Sequence, residues 1–424
     1  MNILYVCHRF PFPPKRGGKI RPFNMIRHLT ASGHRVFVAS LVRSDEEAAE
    51  GKGLAEFCAE FRMGRVRDTV QGLRMLARLP TATPSSMGYF YSPDLTRSIA
   101  QLRAAHRFDL VFVHCSSVAQ YVEDVRDAPK ILDFGDMDSQ KWLDYARYKP
   151  FPLSLGYELE GRKLQREEKR LAQRFDMCTA TTRAERDTLD GYGTKVPTDW
   201  FPNGVDSTYF APDGSDYDPD TIAFVGRMDY FPNQECMLAF CTNTLPLLRA
   251  RRPGIKLTII GANPSPAILR LGDIPHVTVT GSVPDVRPFL RRAAVMVAPL
   301  NIARGTQNKI LEAMALGVPV VTSTLAAGGV DATAPDDFLV ADTPAEIATA
   351  VLRIVDDRNE RERLARAGRA RMLSHHSWEP SMKRLDDIIE RTMLRASAAV
   401  AGRAQARRDA SRRTEVRPTS ALER

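Results

Sequence analysis

Nowhere in its 424 residues does the chain approach the run of about 18–20 apolar residues that a bilayer-crossing helix needs, so no transmembrane helix is expected. Its first residues, MNILYVCHRFPFPP, carry no basic segment ahead of their short apolar run, and Arg9 follows almost at once. They read as a first β-strand rather than a secretory leader, and the chain as cytoplasmic. The six cysteines (Cys7, Cys58, Cys115, Cys178, Cys236, Cys241) include no CxxC pair. That excludes a zinc ribbon or a dithiol redox motif, and leaves reduced core thiols as their reading. GxGxxG and the Walker A pattern are absent too, so the common dinucleotide and NTP signatures are missing, and no short-period repeat occurs.

What is present is a globular balance, 43% hydrophobic and 26% charged, which rules out a wholly disordered or fibrous chain. The length predicts two or three domains at roughly 100–200 residues each. Of the net charge of +9, residues 396–424 supply +4 through seven Arg set against Asp409, Glu415 and Glu423. The excess suits an anionic membrane surface or a phosphorylated ligand; with no recognisable module, it does not point to nucleic acid.

Apolar runs alternate with amphipathic stretches. Ile3–Cys7, Val36–Val42, Leu110–Val113, Ile131–Phe134, Met177–Thr181 and Trp200–Phe201 form a first series. Ile222–Val225, Leu257–Ile260, Val277–Thr280, Val295–Ala298, Val318–Thr322 and Phe338–Val340 form a second. Buried strands separated by helices predict parallel sheets covered on both faces. The turn-rich segment 202–220 separates the two series, so the expected fold is α/β, with two Rossmann-like domains facing across a cleft. The expected boundaries are 1–205, 206–376, a last helix over 377–395 and a disordered basic tail over 396–424.

Ligands of such sheets sit at the carboxyl ends of the strands, which selects the informative loops. After the first strand, Gly17 and Gly18 open backbone N–H groups to a phosphate at a helix start, with Lys15, Arg16, Lys19 and Arg21 around them. FDLVFVHC delivers His114 to a strand end, where it can orient or protonate a ligand. Asp133, Asp136 and Asp138 in KILDFGDMDSQKW suit acceptor binding or helix capping; the DxD spacing alone does not make a metal site. In TIAFVGRMDYFPN, Gly226 is followed by Arg227, a guanidinium where a diphosphate could meet it. Gly261 and Gly281 end later strands. In PLNIARGTQNKILEAMALGVPVVTS, Arg304-Gly305-Thr306 leads into a helix on which Lys309 and Glu312 share a face. The carboxylate can accept the two hydroxyls of a ribose, while Lys309 and the helix N-terminus meet phosphates. Finally, 65–79 sets Arg67, Arg74 and Arg78 beside Val66, Val70, Leu73 and Met75, a pattern that fits either an interfacial helix or an ordinary buried one.

The order strand–GR, strand–G, strand–GxVPD, strand–AP and then LEAMALGVPVV resembles the retaining GT-B glycosyltransferases of family 4, over roughly residues 1–395. FVGRMDYFPN with DFGDMDSQKW is similar to a subgroup associated with exosortase (PEP-CTERM) exopolysaccharide loci. The resemblance implies metal-independent hexosyl transfer from a nucleotide-diphospho-sugar to a glycan or lipid-linked acceptor, with no cofactor. It puts the donor on Gly17, Gly18, Gly226, Gly261, Val283, Arg304, Gly305, Thr306 and Glu312, and the acceptor on Arg16, Lys19, Arg21, Asp136 and Asp138. His114, Arg227 and Lys309 are left as the catalytic set. Two departures stand out. Arg304 occupies the position of the family's first acid, and Pro232-Asn233 that of its phosphate-binding Lys, so Lys309 or Arg304 is expected to restore the lost charge. A nucleotide-sugar 2-epimerase and a non-catalytic nucleotide-sugar binder are the alternatives.

Overall fold

In the computed structural model, which describes residues 1–14 and 17–415, the first series of apolar runs becomes seven strands. They are β1 (Asn2–Cys7), β2 (Arg35–Val42), β3 (Glu60–Arg65), β4 (Leu110–His114), β5 (Lys130–Asp133), β6 (Met177–Ala180) and β7 (Thr198–Trp200). All pair in parallel in the order β3-β2-β1-β4-β5-β6-β7. Side-chain alternation along β1 shows why the run is apolar throughout. Leu4 and Val6 enter one core, Ile3, Tyr5 and Cys7 the other, and both faces are covered by helices.

The second sheet has six strands: β8 (Asp218–Val225), β9 (Lys256–Ile260), β10 (Val277–Val279), β11 (Ala293–Ala298), β12 (Val320–Thr322) and β13 (Leu339–Val340). Its order is β10-β9-β8-β11-β12-β13, again wholly parallel, around a separate core. In each sheet the winding reverses once, between β1 and β4 and between β8 and β11. Those reversals open crevices at the carboxyl ends of the strands.

The chain returns to the first domain at its end. Val205 N–H donates to His376 O at 2.7 Å, and Trp378 begins a helix running to Glu415. Met382, Leu385, Ile388 and Ile389 of that helix bury against β1 and the helix Gly17–Ala31. Arg384 pairs with Asp199 at 2.9 Å and His28 with Asp386 at 2.9 Å.

Three expectations need correction. The helix continues through Glu415, so the tail read as disordered from residue 396 is helical as far as it is described; residues 416–424 lie outside the described residues. The segment is rich in Ala and Arg, both strong helix formers, and needs no apolar stripe to coil. Strand β3 escaped the sequence reading because EFRMGR sits at the sheet edge, half exposed, with no apolar run. The buried-helix alternative for 65–79 also fails. Helix Asp68–Arg78 turns Gln71 inward, 2% exposed, and leaves Leu73 and Leu76 at 69% and 62%. Among the described residues no helix is long and apolar enough to cross a membrane.

Candidate active site

The register of the first sheet lines up Cys7, His114, Asp133 and Thr179 at the carboxyl ends of β1, β4, β5 and β6. Asp133 is wholly buried and fully used. It accepts from Arg21 Nε at 2.9 Å and Nη2 at 3.2 Å, from Thr179 Oγ1 at 2.9 Å, and from His114 Nδ1 at 2.8 Å. Burial works against its ionisation, but Arg21 and then His114 overcome this and hold the carboxyl well below the usual range. As an ionised acceptor, Asp133 makes Nδ1 of His114 the protonated nitrogen and leaves Nε2 as the free ring nitrogen.

Arg21 is therefore not an acceptor contact, contrary to expectation. Its remaining donors go to Phe201 O at 2.9 Å and Asn203 Oδ1 at 3.1 Å, and the guanidinium lies 3.7 Å from the Phe201 ring. Lys19 is buried against Glu47 at 2.7 Å. Arg16, with Lys15, lies outside the described residues. Asp136 and Asp138 diverge. Asp136 accepts from Thr181 Oγ1 at 2.8 Å and abuts Gly305 of the other domain, while Asp138 faces Cys115 at 3.7 Å. Cys115 is no nucleophile, because burial pushes its thiol up to about 12.

On the second domain, Gly226 and Gly261 let backbone segments pass within contact. Gly261 has φ +152°, and any Cβ there would overlap Gly226 O. Arg227 stands half exposed beside Asp229, accepting partner of its Nε at 2.9 Å. Val283 packs half-buried on the core behind this surface. Lys309 and Glu312 lie on one face of the helix Asn308–Ala315. Lys309 Nζ donates to Asn233 Oδ1 at 2.5 Å and lies 3.2 Å from where a side chain on Gly226 would begin. Pro232-Asn233 is the position where the resemblance implies a lysine, and the Lys309 ammonium reaches it from another helix. Burial depresses Lys309 to about 8 and lifts Glu312 to about 7, each drawn toward its neutral form.

Arg304 does not supply phosphate charge. Its Nε donates to Asp144 Oδ2 at 2.8 Å, and Glu185 lies 3.9 Å from Nη1, so it ties the two domains together. Gly305, at φ +59°, follows it against Asp136. Thr306 Oγ1 is buried without a partner among the described residues, just ahead of the helix Asn308–Ala315.

The two domains thus present helix starts to one another. A Cβ on Gly17, first residue of its helix, would lie 3.5 Å from Asn308 Nδ2, first residue of the other. Asn203 Nδ2 bridges to Asn308 Oδ1 at 3.3 Å. Two positive helix ends with Arg227 and Lys309 nearby form a centre suited to a polyanion.

Residues that sequence reasoning missed join them. Lys141 of helix Asp138–Tyr148 faces the Tyr230 ring at 5.7 Å, and although burial opposes its charge, Tyr230 and Asp138 keep the ammonium protonated. Its spacing of three from Asp138 was a usable signal. Arg9 lies two residues past the end of β1 at the winding reversal, a position that by itself is a usable signal.

Known proteins share this fold. Residues 16–209 match the model of Glycosyltransferase Family 4, and residues 219–357 that of Glycosyl transferases group 1. The chain is 27% identical over 225 residues to the GDP-mannose-dependent alpha-(1-6)-phosphatidylinositol monomannoside mannosyltransferase of Mycobacterium tuberculosis, covering 47% of this chain and 57% of that protein. It is 28% identical over 221 residues to the glycogen synthase of the same organism, covering 48% and 50%. The chain thus spans about half the length of these relatives. Among solved structures, sucrose-phosphate synthase from Thermosynechococcus elongatus superposes with a TM-score of 0.67 at 16% identity, over 93% of this chain and 100% of that one. HepE from Anabaena, crystallised with UDP, gives 0.64 at 15%, over 92% and 100%. By its two parallel sheets, and by the family models that match the stretch carrying each of them, the chain has the fold of the GT-B glycosyltransferases of group 1 and family 4.

Proposed function

We propose that the chain transfers a hexosyl group, with retention, from a nucleoside-diphosphate sugar to a glycan or lipid-linked acceptor. The observation that carries this is the meeting of two helix N-termini from opposite domains beside Arg227 and Lys309. The second domain, residues 206–376, holds the donor, with its ribose on Glu312 and its diphosphate between Arg227, Lys309, the orphaned Thr306 hydroxyl and the Gly17-Gly18 helix start. The first domain, residues 1–205, holds the acceptor beside His114. The bond from the anomeric carbon to the phosphate oxygen breaks, with its electron pair leaving on the diphosphate. The acceptor oxygen bonds to the same face, and its proton passes to the departing phosphate. Fixed cations and helix ends stabilise that developing charge. His114, steered by Asp133, orients the sugar and is not a nucleophile.

UDP- and GDP-sugars are expected to raise the melting temperature, since a ligand of the native state stabilises it. Lys309 must be protonated to meet phosphate, so donor affinity falls as pH rises past about 8. Glu312 must be ionised to accept hydroxyls, so affinity falls as pH drops below about 7. Calorimetric titration with UDP and GDP should therefore peak between those values, and a flat profile would remove both residues from the donor site. Product that forms only when acceptor is added separates transfer from epimerisation and from binding alone.

The acceptor is read as lipid-linked because of the outward apolar face of helix Asp68–Arg78. Lys163 Nζ ties this helix's end, at Arg78 O (3.2 Å) and Leu79 O (2.7 Å), to helix Leu153–Ala172. One and two turns before Lys163, that second helix exposes Leu159 and Leu155. Apolar side chains flanked by Arg67 and Arg78 suit an anionic bilayer surface, the setting of exopolysaccharide or cell-surface glycan synthesis in the exosortase-associated subgroup. Phosphatidylglycerol vesicles should sediment the protein and phosphatidylcholine vesicles should not. Leu73→Asp with Leu76→Asp should weaken the binding by more than about tenfold, each leucine contributing roughly 1.5–3 kcal/mol. Equal sedimentation with both lipids would refute the membrane reading.

A further inference from the structure

Beside the cleft and wholly within the first domain lies a second concavity of about 380 Å3, at the carboxyl ends of β1 and β2. His8 and Arg9 line it from the end of β1, and Arg43 from the end of β2. Lys19, also on its wall, is neutralised by Glu47 at 2.7 Å, and Glu47 further accepts the Arg43 backbone N–H at 2.9 Å. The two guanidiniums have no such partner. Among the described residues neither Arg9 nor Arg43 forms an ion pair, and Arg9 Nε is buried with nothing to donate to. The Arg43 guanidinium lies over the Tyr89 ring at 5.3 Å. Burial, and next the charge of Arg43, push Arg9 below the usual arginine range, with Glu47 offsetting this only in part.

The surroundings specify what such a counter-charge would be attached to. Glu46, engaged in part by Ser44, and Glu50 stand exposed at the rim, where carboxylate oxygens can accept hydroxyl hydrogens. His8 Nδ1 is buried without a partner, and its ring lies 5.8 Å from that of His114, so the pocket opens directly beside the residue assigned to the transferred sugar. A guanidinium fork matches the oxygens of phosphate or carboxylate in shape as well as charge.

We propose that this pocket, floored by Arg9 and Arg43 and rimmed by Glu46 and Glu50, seats an anionic group carried by the acceptor sugar, a phosphate or carboxylate, with the accepting hydroxyl turned toward His114. This rests on the reading of the chain as a sugar transferase. The donor diphosphate is a poorer occupant, because no lining residue comes from the second domain. Arg9 feels the charge of Arg227 and packs against Gly18, assigned above to the donor, so Arg43, carried by the end of β2, is the residue that distinguishes the two.

The test uses the full chain saturated with UDP or GDP, so that the donor site is filled, titrated with glucose 1-phosphate, glucuronic acid and methyl glucoside. Binding of the two anionic probes and not of methyl glucoside is the expected result. Arg43→Ala, an exposed substitution that leaves the core intact, should weaken the anionic probes by about tenfold or more, as should Arg9→Met. Nucleotide binding by Arg43→Ala, measured alone, reads the donor site separately. If the wild-type chain binds no nucleotide, the transferase reading fails while the anion pocket can still be titrated. Polyprenyl phosphate in micelles, run against glucose 1-phosphate, assigns the anion to a lipid carrier or a soluble sugar by whichever binds tighter. Methyl glucoside binding as tightly as glucose 1-phosphate would overturn the proposal. So would an Arg43→Ala chain that keeps the anionic probes, or one that loses nucleotide instead.

Discussion

Arg227→Ala and Lys309→Met are each expected to lower kcat for sugar transfer by on the order of 10²–10³-fold, in proteins that remain folded. Charge on the departing diphosphate grows as the anomeric bond breaks, so contacts to it strengthen in the transition state and their loss falls on kcat more than on KM. Neither substitution threatens the fold. Arg227 is half exposed and, among the described residues, paired only with Asp229, an arrangement worth at most about 1 kcal/mol. Lys309 is already strained toward neutrality by burial, and methionine fills the same volume without the charge. Because both residues act on one leaving group, the double variant should fall short of the product of the two losses. Glu312→Ala should behave differently. A ribose contact is equally strong before and during the reaction, so the effect appears chiefly as raised KM. Steady-state kinetics with a radiolabelled donor would measure all three, and near-wild-type kcat in Arg227→Ala or Lys309→Met would exclude that residue.

Asp133→Ala is expected to carry the largest stability cost, about 3–5 kcal/mol, read as a lowered urea midpoint at neutral pH. Its partner Arg21 is 2% exposed and would keep a buried charge with only Phe201 O, Asn203 and an aromatic face to hold it. Removing both partners should cost less than removing the carboxylate alone, so Asp133→Ala with Arg21→Met should recover part of the loss. The sign with pH follows from the depressed carboxyl. Its stabilisation is complete above the ordinary Asp range, about pH 4, and is lost only as strong acid protonates the native form. Wild type and variant should therefore converge at low pH. An Asp133→Ala protein as stable as wild type at pH 7 would refute the buried-pair account. The same substitution frees His114 Nδ1, so activity should drop beyond what the lost stability explains.

Both predictions concern residues that were visible in the sequence, though not equally understood from it. Arg227 follows a strand-ending glycine, and such a position can be read from the local pattern alone. Lys309 was suspected on a shortage of charge, yet nothing local says that its ammonium reaches Asn233, 76 residues earlier. The same shortage of charge points equally to Arg304. Its carboxylate partner is 160 residues away on another domain, and sequence offers no means of finding it. Arg21 misled for a related reason. A basic residue at a helix start looks like a ligand contact, whereas the fold sets a buried aspartate beneath it.

What the sequence determined unaided was the layering. Uninterrupted apolar runs bounded by turn residues leave few alternatives to parallel sheets with helices on both faces, because a strand buried on both sides must be apolar at every position. The strand-end glycines and the loops that matter follow from that. Tertiary structure alone decided which charges are free. Ion pairs form between groups distant along the chain, and a guanidinium held by a carboxylate from a remote segment is spent on the fold, whereas the half-exposed pair of Arg227 with Asp229, two residues on, is weak enough to yield to a ligand. Arg21 and Arg304 are occupied by carboxylates; among the described residues Arg9 and Arg43 form no ion pair. The same holds for the outward leucines of helix Asp68–Arg78, whose apolar stripe is plain in the sequence but whose direction is fixed by what Gln71 packs against.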